Sequence, residues 1–323
     1  MLIDIFLIIV GFAFLVGGAD LLVRGSSNIA KRFHIPEIII GLTIVAIGTS
    51  MPELFITISS AKRGAADLIL GNAIGSNIIN LMLIFALTAL IRPIEIEKDI
   101  KIMHLPVTLL TTLVILIMGM GLLGSEPDVI NKSDGVFLVF LYAIYFLYPV
   151  IIEVRDIWNT DEEEKKTHKK PKVNILFSVL AVLFGILFLR IGGDMVVDIA
   201  TKLALSFGVS ERVIGLTIVA FGTALPELVT SIFAALKNEV GLATGNLLGS
   251  CILNICLILG TGAIITPLDF SSEIHASVLI LAGGIIFIWA SCFFGEKNKI
   301  TRPKALILLA TFVVYMISLF IPA

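Results

Sequence analysis

Residues 41–54 read GLTIVAIGTSMPEL, and residues 215–228 read GLTIVAFGTALPEL. Eleven of the fourteen positions are identical. Each copy carries one carboxylate, Glu53 or Glu227, directly after a proline in a stretch otherwise free of charge. An acid inside an apolar segment is costly in lipid and marks an ion or proton pathway. Two copies, each in a helix that proline and glycine interrupt, point to a site at the centre of a membrane protein.

The whole chain agrees with that setting. Of its 323 residues 58% are hydrophobic and only 15% charged, with a mean hydropathy of +1.06. A soluble domain is about 45–50% apolar and about 25% charged. The net charge of −2 carries no message about partners, and no basic stripe with aromatic residues suggests nucleic acid. Cys251, Cys256 and Cys292 all lie in apolar segments, odd in number and without a CxxC pair, and read as small packing residues. The N-terminal stretch MLIDIFLIIVGFAFLVGGADLLV lacks a basic leader and reads as an uncleaved first span.

Ten apolar runs have the length of a membrane helix: near 2–23, 36–61, 67–91, 103–123, 134–154, 173–201, 210–236, 241–266, 274–295 and 304–321. Residues 153–172, EVRDIWNTDEEEKKTHKKPK, are dense in both charges and read as a solvated linker. They divide the chain into a first five-helix repeat, 1–152, and a second, 173–323.

Three motif pairs carry the duplication. Besides the opening pair, GNAIGSNIIN at 71–80 matches GNLLGSCILN at 245–254, so the repeated motifs span 41–80 and 215–254. Both pairs have an offset of 174 residues; VGGAD at 16–20 aligns with IGGDM at 191–195 at an offset of 175. An odd number of helices per repeat makes the second copy enter from the opposite side. The expected fold is therefore an all-α polytopic membrane protein with ten transmembrane helices, arranged as two inverted-topology repeats. Loops after odd-numbered helices hold 17 Lys and Arg, the others five. The positive-inside rule then places the central loop in the cytoplasm of a cell-membrane protein and both termini outside. Arg190, inside the sixth run, is expected to snorkel or to pair with another helix.

The chemistry follows from the motif residues. Pro52 has no amide hydrogen, so the carbonyl of Gly48 loses its helical partner, and Pro226 does the same to Gly222. Irregular backbone at this depth is tolerated only against protein or a polar cavity. In the adjoining runs Asn72, Ser76 and Asn80, and again Asn246, Ser250 and Asn254, fall at i, i+4 and i+8 on one helix face. Gly71 and Gly75, with Gly245 and Gly249, form GxxxG pairs suited to close helix approach. Crossing the two halves would bring Glu53, Glu227, Asn80 and Asn254 together near the midplane. Carboxylates, amides and freed carbonyls are oxygen donors that suit Ca²⁺, which takes 6–8 oxygens in flexible geometry; Mg²⁺ demands tighter octahedral order. No His or Cys stands among the proposed donors, which argues against zinc or copper. Two acids are neutralised by one Ca²⁺, by two protons or by Na⁺ ions. If only neutralised states switch sides, the ions must exchange.

These motifs resemble the paired α-repeats of the Ca²⁺/cation antiporter superfamily, in particular its prokaryotic Na⁺/Ca²⁺ exchanger branch. The resemblance implies alternating access, with the first and sixth helices sliding across a rigid core of the other eight. It implies Glu53 and Glu227 as shared Ca²⁺ ligands with the carbonyls of Thr49 and Thr223. It implies Na⁺ contacts from the Ala46 and Ala220 carbonyls and from Ser50, Ser76 and Ser250, with Asn80 lining the middle site. Ca²⁺ and Na⁺ are thus transported substrates in a lipid bilayer, with no cofactor, no enzymatic activity and no obligate protein partner. The chain departs from the family pattern at Ala224, where a Ser is usual, and at Asn254, where an Asp is usual. The first removes a hydroxyl from one sodium site and the second removes a third acid. A Ca²⁺/H⁺ antiporter and a cation channel stay open as alternatives, although the proton-coupled branch's GNATEL-like motif is absent.

Overall fold

The computed structural model describes residues 2–33, 35–121, 128–159, 174–207 and 220–318. All of the expected runs contain helix. The first is α1 (Leu2–Phe33); the second is split into α2 (Glu37–Thr49) and α3 (Met51–Lys62), bent by 45°. Then come α4 (Ala66–Ile91), α5 (Ile100–Gly119), α6 (Lys132–Asn159), α7 (Ile175–Ser206), α8 (Ala220–Thr223), α9 (Leu225–Leu236), α10 (Val240–Ile265), α11 (Ser272–Ser291) and α12 (Arg302–Ser318). Six of these helices are long and apolar enough to cross a membrane, seven if the bent α2/α3 pair is one span. The protein is an all-helical membrane protein. Residues 215–219 of the second motif and 160–172 of the charged loop lie outside the described residues.

Helix ends depart from the sequence expectation by up to ten residues, and two of the departures have a visible cause. α1 continues ten residues past Val23, because Arg24 pairs with Asp20 one turn back (2.9 Å) and Gly25 lies against Ser178 and Val182. α6 runs to Asn159, so the first part of the 153–172 segment is helix; charge ended the apolar run, not the helix.

The spacing of 174 recurs in the elements themselves. α3 and α9, and α4 and α10, begin and end at that offset. Two short antiparallel strand pairs tie early elements to late ones: β1 (Ile94–Glu95) to β4 (Lys299–Ile300), and β2 (Val129–Ile130) to β3 (Leu268–Asp269).

α1 and α7 pack antiparallel along glycines. A Cβ on Gly18 would stand 2.7 Å from the Leu189 nitrogen and 2.8 Å from the Gly185 carbonyl; one on Gly11 would stand 3.2 Å from the Gly192 carbonyl. The contacts Gly18–Gly185 and Gly11–Gly192 interconvert only if Gly11 corresponds to Gly185 and Gly18 to Gly192. The offset in this pair is therefore 174, not 175, and Asp20 corresponds to Asp194. The matched GG letters shifted the sequence alignment by one residue. Both helices turn apolar faces outward, with Ile3, Phe6, Ile9 and Phe12 on α1 and Leu176, Phe177, Leu183 and Phe184 on α7 exposed. α4 and α10 are instead largely buried. α2 crosses α10 where a Cβ on Gly41 would meet the Leu242 carbonyl at 2.5 Å and one on Gly245 the Ile38 carbonyl at 2.3 Å. Gly245 and Gly249 are packing glycines, as expected; the partner that would lie over Gly71 and Gly75 by repeat equivalence falls in the undescribed stretch.

Candidate functional site

Both helix breaks have the same local form. Ser50 (φ −88°, ψ 8°) separates α2 from α3, and Ala224 (φ −85°, ψ −1°) separates α8 from α9. Backbone bonds from Ser50 N–H to the Ala46 carbonyl (3.0 Å) and from Leu54 N–H to the Ser50 carbonyl (3.3 Å) cross the first break. Pro52 and Pro226 sit in the first turn after each break and leave the carbonyl four residues back without its helical donor. π-helical turns at Ile79–Ile84 in α4 and Asn254–Leu259 in α10 contain Asn80 and Asn254; such turns loosen the backbone ladder and are frequent at functional positions.

The breaks present Glu53 and Glu227 to one another. Each is 1% exposed, and Ser50, three residues before Glu53, reaches across to Glu227. Ser50 Oγ donates to Glu227 Oε1 (2.9 Å) and stands 2.9 Å from Ser250 Oγ. Four buried oxygens in this region have no hydrogen-bond partner: Glu53 Oε2, Glu227 Oε2, Asn80 Oδ1 and Asn254 Oδ1. Asn80 and Asn254 lie halfway along the two most buried helices, each 1% exposed. An unpaired buried acceptor is expensive. Among the described residues no three His, Cys, Asp or Glu side chains converge, so neutral oxygens must complete any cation shell.

The sequence profile of the sodium/calcium exchanger protein family matches residues 3–151 and 177–321. The chain belongs to the sodium/calcium exchanger family. Members of this family are multi-pass membrane transporters, and the chain is a cation/Ca²⁺ antiporter. It is 34% identical to the inner membrane protein YrbG of Escherichia coli, with 99% of this chain and 98% of that protein covered. It is 27% identical to the sodium/calcium exchanger MaX1 of Methanosarcina acetivorans, with 98% and 99% covered. A solved structure of the sodium-calcium exchanger NCX_Mj, soaked with 2.5 mM Na⁺ and 0.1 mM Ca²⁺, superposes with a TM-score of 0.84 at 30% identity, covering 99% of this chain and all of that one.

Within this exchanger fold the two repeats are unequal. Thr49 lies 3.1 Å from Asn246 Oδ1 and 3.4 Å from the Ala46 carbonyl, which also accepts Ser50 N–H. Asn246 Nδ2 reaches Ser231 Oγ at 3.4 Å. On the other side Asn72 Nδ2 and Thr57 Oγ1 lack partners, and Ala224 has no hydroxyl to offer Glu53. Ser76 is buried on the same face of α4 as Asn80. Ala220 opens α8 and Thr223 ends it. A cavity of about 220 Å³ opens on this looser side, between α7, α3 and α8, lined by Pro52, Phe55, Asp194, Asp198, Thr223 and Pro226 among others. Arg190 borders it, paired with Asp194 one turn on (3.5 Å) and set over the Phe55 ring (4.9 Å).

The equivalent face between α1 and α9 is drawn together by ion pairs, with a cavity of about 350 Å³ beside them, lined by Val23, Ser27, Lys31, Lys237 and Glu239 among others. Ala19 and Val23 are fully buried there, in a cluster with Ala234, Val229 and Phe233. Asp20 pairs with Lys237, and Lys31 with Glu239 at 2.8 Å. Burial works against the Glu239 carboxylate, but hydrogen bonds shared with Glu37, Lys31 and Ser27 hold it below the usual carboxylate range.

One contributor escaped the sequence reading. Asn77, buried and off the polar stripe, donates through Nδ2 to the Cys251 carbonyl (2.9 Å) and accepts from Asn254 Nδ2 (3.0 Å). Its repeat equivalent is Cys251 itself, so comparing the copies showed no shared polar residue there.

Proposed function

We propose that this protein is a secondary active antiporter exchanging Ca²⁺ for Na⁺, and that the ions share a midplane site built on Glu53 and Glu227. The observation that supports the reading is a pair of buried carboxylates, one from each half, each with an oxygen lacking a hydrogen-bond partner, and with Ser50 of the first break bonded to the acid of the second. Asn80 and Asn254 add neutral oxygens, with the Thr49 and Thr223 carbonyls beside the breaks. Ser50, Ser250, Ser76, Ala46 and Ala220 complete the oxygen set for Na⁺. The total of two negative charges suits one Ca²⁺ or two or more Na⁺. An empty pair of acids in a dry centre opposes switching, which couples the two fluxes.

The chain crosses the membrane ten times as two inverted repeats, 1–152 and 173–323, joined by the cytoplasmic 153–172 segment. The 174-residue spacing of the elements and the antiparallel α1/α7 pair support this. α1 and α7 move together across the remaining helices. With the basic loops in the cytoplasm, the cavity at Asp194 opens outward and the seam at Asp20 closes the inner face. Inward opening exchanges these roles, and the hidden cavity is then lined by the equivalents Ala19, Asp20, Val23, Thr49 and Val229.

The test of the coupling ion is ⁴⁵Ca²⁺ uptake into proteoliposomes driven by an outward Na⁺ gradient or by a pH gradient of equal size. Uptake with Na⁺ alone is expected. Uptake that follows only the pH gradient would replace Na⁺ with H⁺ in this scheme.

A further inference from the structure

We infer that Asn77 is a positioning residue that turns the Asn254 side-chain oxygen toward the ions. This rests on the Glu53–Glu227 site proposed above. A side-chain amide can in principle present either its oxygen or its nitrogen, and coordinates alone seldom decide which. Here a backbone group decides. The Cys251 carbonyl is an acceptor that cannot rotate away, so Asn77 must point Nδ2 at it (2.9 Å). That leaves Asn77 Oδ1 to face Asn254, which answers with Nδ2 (3.0 Å). Asn254 Oδ1 is then directed to the other side, buried and without a partner. Flipping either amide alone would set two acceptors or two donors against each other. Flipping both would press Asn77 Oδ1 onto the Cys251 carbonyl.

The relay lies where the halves meet. Asn77 and Cys251 stand 174 residues apart and touch each other. Asn80 and Asn254 stand at the same offset, one turn further along α4 and α10. Asn254 is thus held by its nitrogen on the opposite helix. Asn80 Oδ1, like Asn254 Oδ1, is buried without a hydrogen-bond partner. The consequence is specific: two neutral oxygens at the centre without a third charge.

The test is a double-mutant cycle on Ca²⁺ binding, read as Ca²⁺-dependent thermal stabilisation of the purified full chain. The variants are Asn77→Leu, which keeps the branched shape and removes both bonds, Asn254→Ala, the double variant, and Glu227→Gln as a control on the site. Asn77→Leu is expected to weaken Ca²⁺ about tenfold, the usual size for a group that orients a metal ligand. Asn254→Ala is expected to weaken it at least as much, and the double variant to match Asn254→Ala within about twofold. Unchanged Ca²⁺ binding in Asn77→Leu overturns the inference, as does a double variant showing the product of both losses, which is what a packing role gives. If Asn254→Ala alone changes nothing, the inference falls while the site stands. If Glu227→Gln also binds Ca²⁺ normally, the site itself falls. Should Asn77→Leu fail to accumulate, Asn77→Ala enters the same cycle with the same expected coupling.

Discussion

Replacing Lys237 with glutamine should tilt the protein toward the state in which its inner face is open. Lys237 bonds Asp20 on α1, with side chains 26% and 31% exposed, so the pair is only partly screened. Asp20 keeps Arg24 at 2.9 Å in the variant, which limits the change to the contacts that Lys237 makes with the Asp20 carboxylate and carbonyl. A partly exposed pair of this kind is worth up to about 1 kcal/mol, a factor of about five in the ratio of the two states. Adding Glu239→Gln removes the charge that faces Lys31, leaving a neutral oxygen to accept from Lys31 and Ser27, and brings the total toward 2 kcal/mol, about thirtyfold. The repeat supplies an opposing arm. Arg63 stands at the position of Lys237, and Asp194 at that of Asp20, at the same 174-residue offset. Arg63 is exposed here while Asp194 pairs within its own helix. When the outer face closes, Asp194 should meet Arg63, so Arg63→Gln should push the ratio the other way. The reporter is Val23→Cys, fully buried in this state and the equivalent of Val197, which lines the open cavity. The native cysteines are buried and give a low background. Labelling by a membrane-impermeant maleimide in inside-out vesicles should quicken about fivefold in Lys237→Gln and slow in Arg63→Gln. Equal rates in all three proteins, or faster labelling in Arg63→Gln, would refute the exchange of these pairs.

Gly18→Ala should lower thermal stability by about 1–3 kcal/mol, because its Cβ would press on the Leu189 nitrogen and the Gly185 carbonyl, neither of which can rotate away. Gly17→Ala, whose Cβ meets no described heavy atom within 4 Å, is the control and should melt like the wild type. Ser50→Ala removes the hydroxyl beside Glu227 and should flatten the Na⁺ dependence of Ca²⁺ exchange more than it changes Ca²⁺ affinity. Ala224→Ser, which restores the symmetric hydroxyl beside Glu53, should steepen it; no change in Na⁺ dependence for either would exclude both positions from the Na⁺ site.

The helices and their pairing were readable because their causes are local. Apolar runs of membrane length located the long helices among the described residues, and Pro52 and Pro226 located the breaks. Helix ends were misjudged at Phe33 and Asn159, since charge stops an apolar run without stopping the helical ladder. The carboxylates, the serines and the amides at 80 and 254 announced themselves through duplication. Asn77 did not, because its counterpart is a cysteine whose useful atom is a backbone carbonyl. The Asp20–Lys237 seam was equally silent: it joins α1 to the end of α9 by a contact that exists on one face only. The one-residue error in aligning α1 with α7 arose from matching glycine letters rather than the faces those glycines pack.

The most direct measurement is ⁴⁵Ca²⁺ exchange in proteoliposomes holding the wild type, Glu53→Gln and Glu227→Gln. Both substitutions keep the shape of the side chain and remove one of the two charges that a bound Ca²⁺ would balance. Loss of nearly all exchange in each variant is the expected result. Robust coupled exchange with either acid neutralised would contradict a shared Glu53–Glu227 site.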